Sequence, residues 1–98
     1  MKTVSPAELK QMMDAHEDFQ LIDVREPWEV EEVSLGGLNI PMGDALQRAD
    51  QEISRDKKVV VHCKAGMRSA SVIQALEQKM GYTNLYNLQG GIVAYLNS

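Results

Sequence analysis

A single cysteine, Cys63, lies where an apolar strand pattern ends and a helical pattern begins. The apolar residues 59–61 precede it, and two cations, Lys64 and Arg68, follow it within five positions. Backbone N–H groups at a helix start, the helix dipole and neighbouring positive charge all lower the pKa of a thiol. A free cysteine is more often a small buried apolar residue, but these cations and Gly66 favour a reactive thiol here. Because the thiolate is the nucleophilic form of cysteine, the spacing predicts a reactive sulfur at the floor of an anion-binding loop.

The loop that follows the cysteine spans residues 64–69 and is predicted to hold an anion. Its backbone N–H groups can converge on one point and form a nest for a negatively charged sulfur. The planar guanidinium group of Arg68 is suited to bind the oxygens of an oxyanion leaving group. The alternative role for Arg68 is a salt bridge within the domain. Lys64 is predicted to attract anions, with a solvated surface charge as the alternative.

The remaining residues of this segment are predicted to shape the site. Gly66 is expected to adopt backbone angles that other residues rarely adopt. Met67 is expected at the rim of the pocket. Ser69 is expected to cap the next helix, with its hydroxyl near the pocket. The candidate substrate-binding residues are Lys64, Ala65, Gly66, Met67, Arg68 and Ser69. Because side chains alternate along a strand, His62 is expected to point away from Cys63 and to make a structural hydrogen bond.

Strand and helix patterns alternate along the whole chain. The predicted strands cover residues 3–4, 19–24, 36–40, 58–62 and 85–88. The predicted helices begin at Ser5, Pro27, Gly43, Ser69 and Gly90 and run to about residues 16, 33, 53, 80 and 96. This alternation predicts an α/β domain with a mostly parallel sheet covered by helices on both faces. Ligands of such sheets bind at the carboxyl ends of the strands, which is where Cys63 lies.

Several residues mark where the helices begin, end and pack. Ser5 and Glu8 have the spacing of a capping box, and Gly81 is the expected residue just after the fourth helix. Trp28 is expected to anchor the second helix in the core. Ala45, Leu46 and Ala49 are expected to face inward from the third helix.

Composition bounds the class of protein. The chain has 98 residues, enough for one domain and one core, which predicts a single domain over residues 1–98. Its net charge of −4 disfavours general binding to nucleic acid or to an acidic membrane. One cysteine excludes an internal disulfide and a multi-cysteine metal site, and no cofactor is implied. With no apolar stretch of membrane-spanning length and no secretory leader pattern, a cytoplasmic location is expected.

Four segments together resemble the rhodanese-like sulfurtransferase domain in their order and spacing. They are residues 21–26 (LIDVRE), 38–41 (LNIP), 63–69 (CKAGMRS) and 88–92 (LQGGI). The resemblance covers nearly the whole chain. Two positions depart from the family pattern: Val33 lies where members commonly have the histidine of a Gly-His-Ile motif, and Tyr95 lies where they often have tryptophan.

The resemblance implies a five-stranded parallel α/β domain and a persulfide on Cys63. It implies transfer of a sulfane sulfur from a small anionic donor to a thiol, cyanide or protein acceptor. The basic loop resembles members that accept thiosulfate. The resemblance also places Asp23 and Arg25 near the loop, where we expect a supporting role: Asp23 as a buried acceptor for loop N–H groups, and Arg25 paired with an acid.

Two other functions remain to be weighed. A cysteine-dependent phosphatase also uses a cysteine–loop–arginine cradle, but with five residues between the two, whereas four separate Cys63 from Arg68. The shorter loop makes a pocket that is tight for a phosphoryl group, and no loop aspartate can serve as general acid. The second alternative is a persulfide carrier or sulfur-relay module of a larger protein, which would use the same residues.

Overall fold

Five parallel strands form one central sheet, and the computed structural model describes residues 1–98. The strands are β1 (Thr3–Val4), β2 (Gln20–Asp23), β3 (Leu38–Asn39), β4 (Val59–His62) and β5 (Leu85–Leu88). Their order across the sheet is β1-β5-β4-β2-β3, and every neighbouring pair is parallel. The central strand β4 aligns Val61 with Ile22 of β2 and with Asn87 of β5. The predicted α/β class is confirmed, and the sheet is wholly parallel.

Four α-helices connect these strands, and a fifth follows the last strand. They are α1 (Pro6–Asp14), α2 (Pro27–Glu32), α3 (Ala45–Glu52), α4 (Met67–Met80) and α5 (Gly91–Leu96), with one 3₁₀ turn at Met42–Asp44. None of the helices combines the length and apolar character that a membrane crossing requires.

The two faces of the sheet bury separate apolar cores. On one face, Val59 and Val61 pack with side chains of α3 and α4. On the other face, Val60 packs with Leu9 of α1 and Leu88 of β5. This alternation along β4 places Cys63 on the α3–α4 side, in the larger core. The helices therefore cover both faces, as predicted.

The start of α1 follows from its sequence. The Ser5 hydroxyl accepts the Glu8 N–H at 3.0 Å, and the Glu8 carboxylate accepts the Ser5 N–H at 2.9 Å. The predicted capping box is confirmed. Gly81 is confirmed as the residue that ends α4, with a φ of 71° that suits glycine.

The start of α4 differs from the prediction. The helix begins at Met67, and Gly66, with a φ of 107°, is the residue before it. Ser69 is therefore not the helix cap but a buried residue of the first turn. The physical reason is that the left-handed backbone of Gly66 turns the chain directly from the loop into the helix.

Two apolar anchors were also predicted wrongly. Trp28 is 63% exposed, and the buried residue of α2 is Glu29, because an ion pair draws that side of this short helix inward. Leu46 is 39% exposed, whereas the other two residues predicted to face inward from α3, Ala45 and Ala49, are buried. The small side chains of Ala45 and Ala49 let α3 lie close to α4, and the longer side chain of Leu46 stays outside.

Candidate active site

The sulfur of Cys63 lies at the carboxyl end of β4, beneath the loop of residues 64–66. The residue is 1% exposed. The Gly66 N–H donates to the sulfur at 3.1 Å, and the Ser69 Oγ lies 3.3 Å from it. The sulfur is thus surrounded by hydrogen-bond donors on the side that faces the loop and the first turn of α4.

Two opposing effects act on the pKa of the Cys63 thiol. Burial raises this pKa, because a charged sulfur loses water. The Ser69 hydroxyl and the backbone N–H groups of Ser69, Gly66 and Ala65 lower it, because they stabilise the thiolate. The hydrogen bonds outweigh burial, so the pKa lies below that of an ordinary thiol. The converging N–H groups form the nest that the sequence predicts.

Asn87 of β5 ties the first turn of α4 to the sheet. The Ser69 Oγ also lies 2.6 Å from the Asn87 Oδ1, which competes with the Cys63 sulfur for the single hydroxyl proton of Ser69. The Asn87 Nδ2 donates to the Gly66 carbonyl at 3.1 Å. Sequence reasoning did not identify this residue. The available signal was weak: asparagine is uncommon in strands, so a half-buried one beside the central strand indicates a specific polar contact.

Arg68 makes a two-point ion pair with Glu29 of α2. Its two terminal nitrogens donate to the two carboxylate oxygens at 2.7 and 2.9 Å. The Arg68 contact holds the pKa of Glu29 at about 2, and the same pairing raises the pKa of Arg68. The intradomain salt bridge that was weighed for Arg68 is therefore present, and its oxyanion role stays a prediction.

Sequence reasoning also missed Glu29. It occupies the third position of α2 and accepts the Glu26 N–H at 3.0 Å. A glutamate at that position reads as an ordinary capping residue. No sequence signal distinguishes the second role of its carboxylate, which binds a residue 39 positions away.

Asp23 and Arg25 form a buried ion pair of 2.7 Å at the end of β2. The Asp23 carboxylate accepts the Arg25 backbone N–H at 3.0 Å, and it bonds to no residue of the loop. Arg25 does pair with an acid, but the expected contact from Asp23 to the loop N–H groups is wrong. Arg25 also donates to the carbonyls of Glu29 and Val33, at 3.3 and 2.7 Å. The pair therefore supports α2, which in turn presents Glu29 to Arg68.

His62 is fully buried behind the cysteine. Strand alternation places it with Val60, on the side of the sheet opposite the Cys63 sulfur, as predicted. Its expected hydrogen bond is absent, since neither ring nitrogen has a partner and Nε2 lies 3.9 Å from the Asp23 carboxylate. Burial lowers the pKa of His62, which favours the neutral ring.

The amino end of α5 packs against the same loop. The Ile92 N–H donates to the Cys63 carbonyl at 2.9 Å, and the Val93 N–H donates to the Lys64 carbonyl at 3.1 Å. Gly91 lies so close to the Lys64 backbone that it leaves no room for a side chain. The loop is thus held by α4, β5 and α5 together.

The outer rim of the loop is exposed. Met67 is 81% exposed, and Lys64 and Ala65 are also exposed. Lys64 lines a groove between α2 and α5 together with Trp28 and Val93. Of the predicted substrate-binding residues, Gly66 and Ser69 contact the sulfur and the Ala65 N–H also faces it, whereas Lys64, Met67 and Arg68 make no hydrogen bond to it.

The family follows from comparison with known sequences. A family model, the rhodanese-like domain, matches residues 5–98. The chain belongs to the rhodanese-like family. It resembles a protein of Allochromatium vinosum named "Sulfurtransferase", which is 35% identical over 88 residues covering 89% of this chain and 80% of the relative.

Solved structures agree with this assignment. A rhodanese-related protein from Thermoplasma volcanium superposes with a TM-score of 0.84 at 30% identity, covering 99% of this chain and 92% of that one. A second sequence relative is the "Probable adenylyltransferase/sulfurtransferase MoeZ" of Mycobacterium tuberculosis, 34% identical over 95 residues and 95% of this chain. The rhodanese-like chain spans 24% of the length of that relative.

Proposed function

We propose that this rhodanese-like domain is a sulfurtransferase that carries a sulfane sulfur as a persulfide on Cys63. The observation that most supports this proposal is the position of the Cys63 sulfur, which accepts a hydrogen bond from the Gly66 N–H at 3.1 Å inside a loop of converging N–H groups. Such donors stabilise a thiolate before the reaction and a persulfide anion after it. Relatives named sulfurtransferase support the same reaction class.

The proposed first step uses thiosulfate as the donor. The Cys63 thiolate attacks the outer sulfur, the bond from Sγ to that sulfur forms, and the sulfur–sulfur bond of thiosulfate breaks. The electron pair of the broken bond leaves with sulfite, so the total charge is unchanged. No proton transfer is needed if the thiol is already ionised, which explains how one cysteine can act without a general base.

The proposed second step returns the cysteine to its starting state. A nucleophilic acceptor, such as cyanide or a thiolate, attacks the outer sulfur of the persulfide. The bond between that sulfur and Sγ breaks, and its electron pair restores the Cys63 thiolate. Two steps with a covalent intermediate replace one direct transfer between two anions that repel each other.

Lys64 supplies the free positive charge at this site. It is exposed on the loop and enters none of the ion pairs of the structure. A cation there raises the local concentration of an anionic donor. Arg68 is the second cation, and its charge is shared with Glu29.

A sulfur-relay role inside a larger protein is the second candidate. The observation in its favour is that the MoeZ relative, named as both adenylyltransferase and sulfurtransferase, is about four times as long as this chain. In such an arrangement a protein segment would accept the sulfur from Cys63. A phosphatase is disfavoured, because only four residues separate Cys63 from Arg68 and the loop holds no aspartate to serve as general acid.

Intact-mass measurement tests the proposal. After incubation with thiosulfate, the wild-type chain should gain the mass of one sulfur atom, and cyanide should remove it. Cys63→Ser is the control, since the chain has no other cysteine. A wild-type chain that gains no sulfur, or a Cys63→Ser chain that gains the same removable mass, would contradict the proposal. Multiple-turnover assays with cyanide and with a small thiol then separate an enzyme from a slow carrier.

A further inference from the structure

The carboxylate of Glu29 is fixed from several sides. The residue is 8% exposed, and its Oε1 accepts the Glu26 N–H at 3.0 Å. Its own carbonyl accepts from the buried Arg25 at 3.3 Å. Arg25 is anchored in turn by Asp23 at the end of β2. Glu29 is therefore a rigid acceptor at a defined place beside the loop.

Arg68 connects this acceptor to the sulfur. It lies in the first turn of α4, two residues after the Gly66 whose N–H donates to Cys63. Both terminal nitrogens of its side chain are held by Glu29. A planar fork bound at two points is fixed in position and in rotation, which one contact cannot achieve.

We propose that Glu29 is a positioning residue for sulfur transfer: its two-point contact holds Arg68 beside the Cys63 loop and offsets part of the positive charge that the sulfur and the donor meet. The inference rests on the proposed function and assigns to α2 a role in it. Arg68 would then present an anion with a guanidinium group that is held in one orientation and whose positive charge is partly neutralised by Glu29.

The charged groups around this pair come from four elements. Arg68 is faced by Glu29 of α2, by the Cys63 sulfur and by Asp23 of β2. Glu29 is faced by Arg68 and by Arg25. Lys64 adds a free cation on the loop, and the neutral His62 adds no charge. Removing the Glu29 charge would leave the positive charge of Arg68 less compensated and favour the thiolate of Cys63.

Glu29→Gln tests the inference, because glutamine keeps the size of the side chain and one acceptor oxygen but loses the charge. The midpoint of a pH titration of iodoacetamide alkylation at Cys63 should fall on the order of half a pH unit. The kcat for thiosulfate should fall roughly tenfold, because Arg68 loses its second contact. Glu29→Asp should restore the midpoint.

The matched control is Glu52→Gln, which removes the carboxylate of a second two-point Arg–Glu pair, on α3. Glu52 lies near the amino end of β2, where its carbonyl accepts from Gln20, away from the cysteine. This control should leave the alkylation midpoint and kcat at the wild-type values. An alkylation midpoint in Glu29→Gln that equals those of wild type and control overturns the inference.

Arg68→Lys gives an independent test in case Glu29→Gln folds poorly. Lysine keeps the charge but cannot bind at two points, so kcat should fall while the alkylation midpoint stays near the wild-type value. An unchanged kcat in a folded Arg68→Lys chain also overturns the inference. Alkylation needs no sulfur donor, so the Glu29 result can be obtained even if wild type fails the mass test of the proposed function.

Discussion

Replacing Gly91 with alanine is expected to displace the loop that carries Cys63. A Cβ atom at this position would lie 2.3 Å from the Lys64 carbonyl oxygen and 2.7 Å from the Ala65 nitrogen. Ordinary contact begins at 3.4 Å, so α5 and the loop would have to separate by about 1.1 Å, the difference between 3.4 and 2.3 Å. Both neighbours are backbone atoms, so no side-chain rotation can relieve the overlap.

The size of the effect has two parts. Alanine at the positive φ of 64° costs about 1 kcal/mol relative to glycine. The separation would also weaken the bonds from Ile92 to the Cys63 carbonyl and from Val93 to the Lys64 carbonyl, each worth about 1 kcal/mol. Gly91→Ala should therefore lower the free energy of unfolding by about 3 kcal/mol. A shift of about 1 Å in a reacting group can lower the rate roughly 100-fold.

Gly81→Ala is the matched control. Gly81 has a similar φ of 71°, but no atom lies within 4 Å of the Cβ that would be added there. This variant should lose about 1 kcal/mol of unfolding free energy and keep the wild-type rate of sulfur uptake. Urea unfolding and the rate of sulfur gain from thiosulfate measure the two quantities. Equal stability losses and equal rates in the two variants would refute the argument that α5 positions the loop.

Three other expectations concern the charged groups of the site. The alkylation rate of Cys63 should have its pH midpoint below the free-thiol value of about 8.5, and a midpoint at or above that value would contradict the hydrogen-bond argument. The pairing that holds the pKa of Glu29 at about 2 is complete above about pH 5 and is lost as the pH falls towards 2. Between pH 7 and pH 3, the wild type should therefore lose about 1 kcal/mol more unfolding free energy than Glu29→Gln does. This figure is reduced for solvent screening, because Arg68 is partly exposed. If the unfolding free energies of the two chains fall equally with pH, the pairing does not contribute as argued. Arg68→Ala should lower kcat/KM for thiosulfate on the order of 100-fold. The control Arg48→Ala, which breaks the ion pair between Arg48 and Glu52 on α3, should leave kcat/KM unchanged. Equal losses in the two variants would exclude a site role for Arg68.

The strand and helix pattern was predictable because local signals and burial agree along most of the chain. The apolar residues 59–61 are buried on both faces of a central strand, as a continuous apolar run predicts. Ser5 and Glu8 begin α1 by a contact between residues three apart, which sequence displays directly. One error occurs where a local pattern meets a nonlocal contact. Trp28 reads as an apolar anchor, but the neighbouring Glu29 is drawn inward by Arg68.

Within the candidate site, the sequence by itself indicated the proposed nucleophile and the kind of loop around it. One cysteine after an apolar strand, followed by Gly66 and two cations, identifies an anion-binding loop because these features are contiguous in the chain. Donors in the same segment, such as the Gly66 N–H, could be expected for that reason.

Only the tertiary structure decided which distant residues complete the site. Asn87 meets Ser69 because β5 lies beside β4 in the sheet, and Glu29 meets Arg68 across 39 positions because α2 and α4 begin at the same edge. Glu29 carries no sequence signal of this role, since it would serve equally well as a capping residue, and the signal of Asn87 is only that asparagine is uncommon in strands. The strand order determines which side chains share that edge, and it depends on the packing of the whole chain.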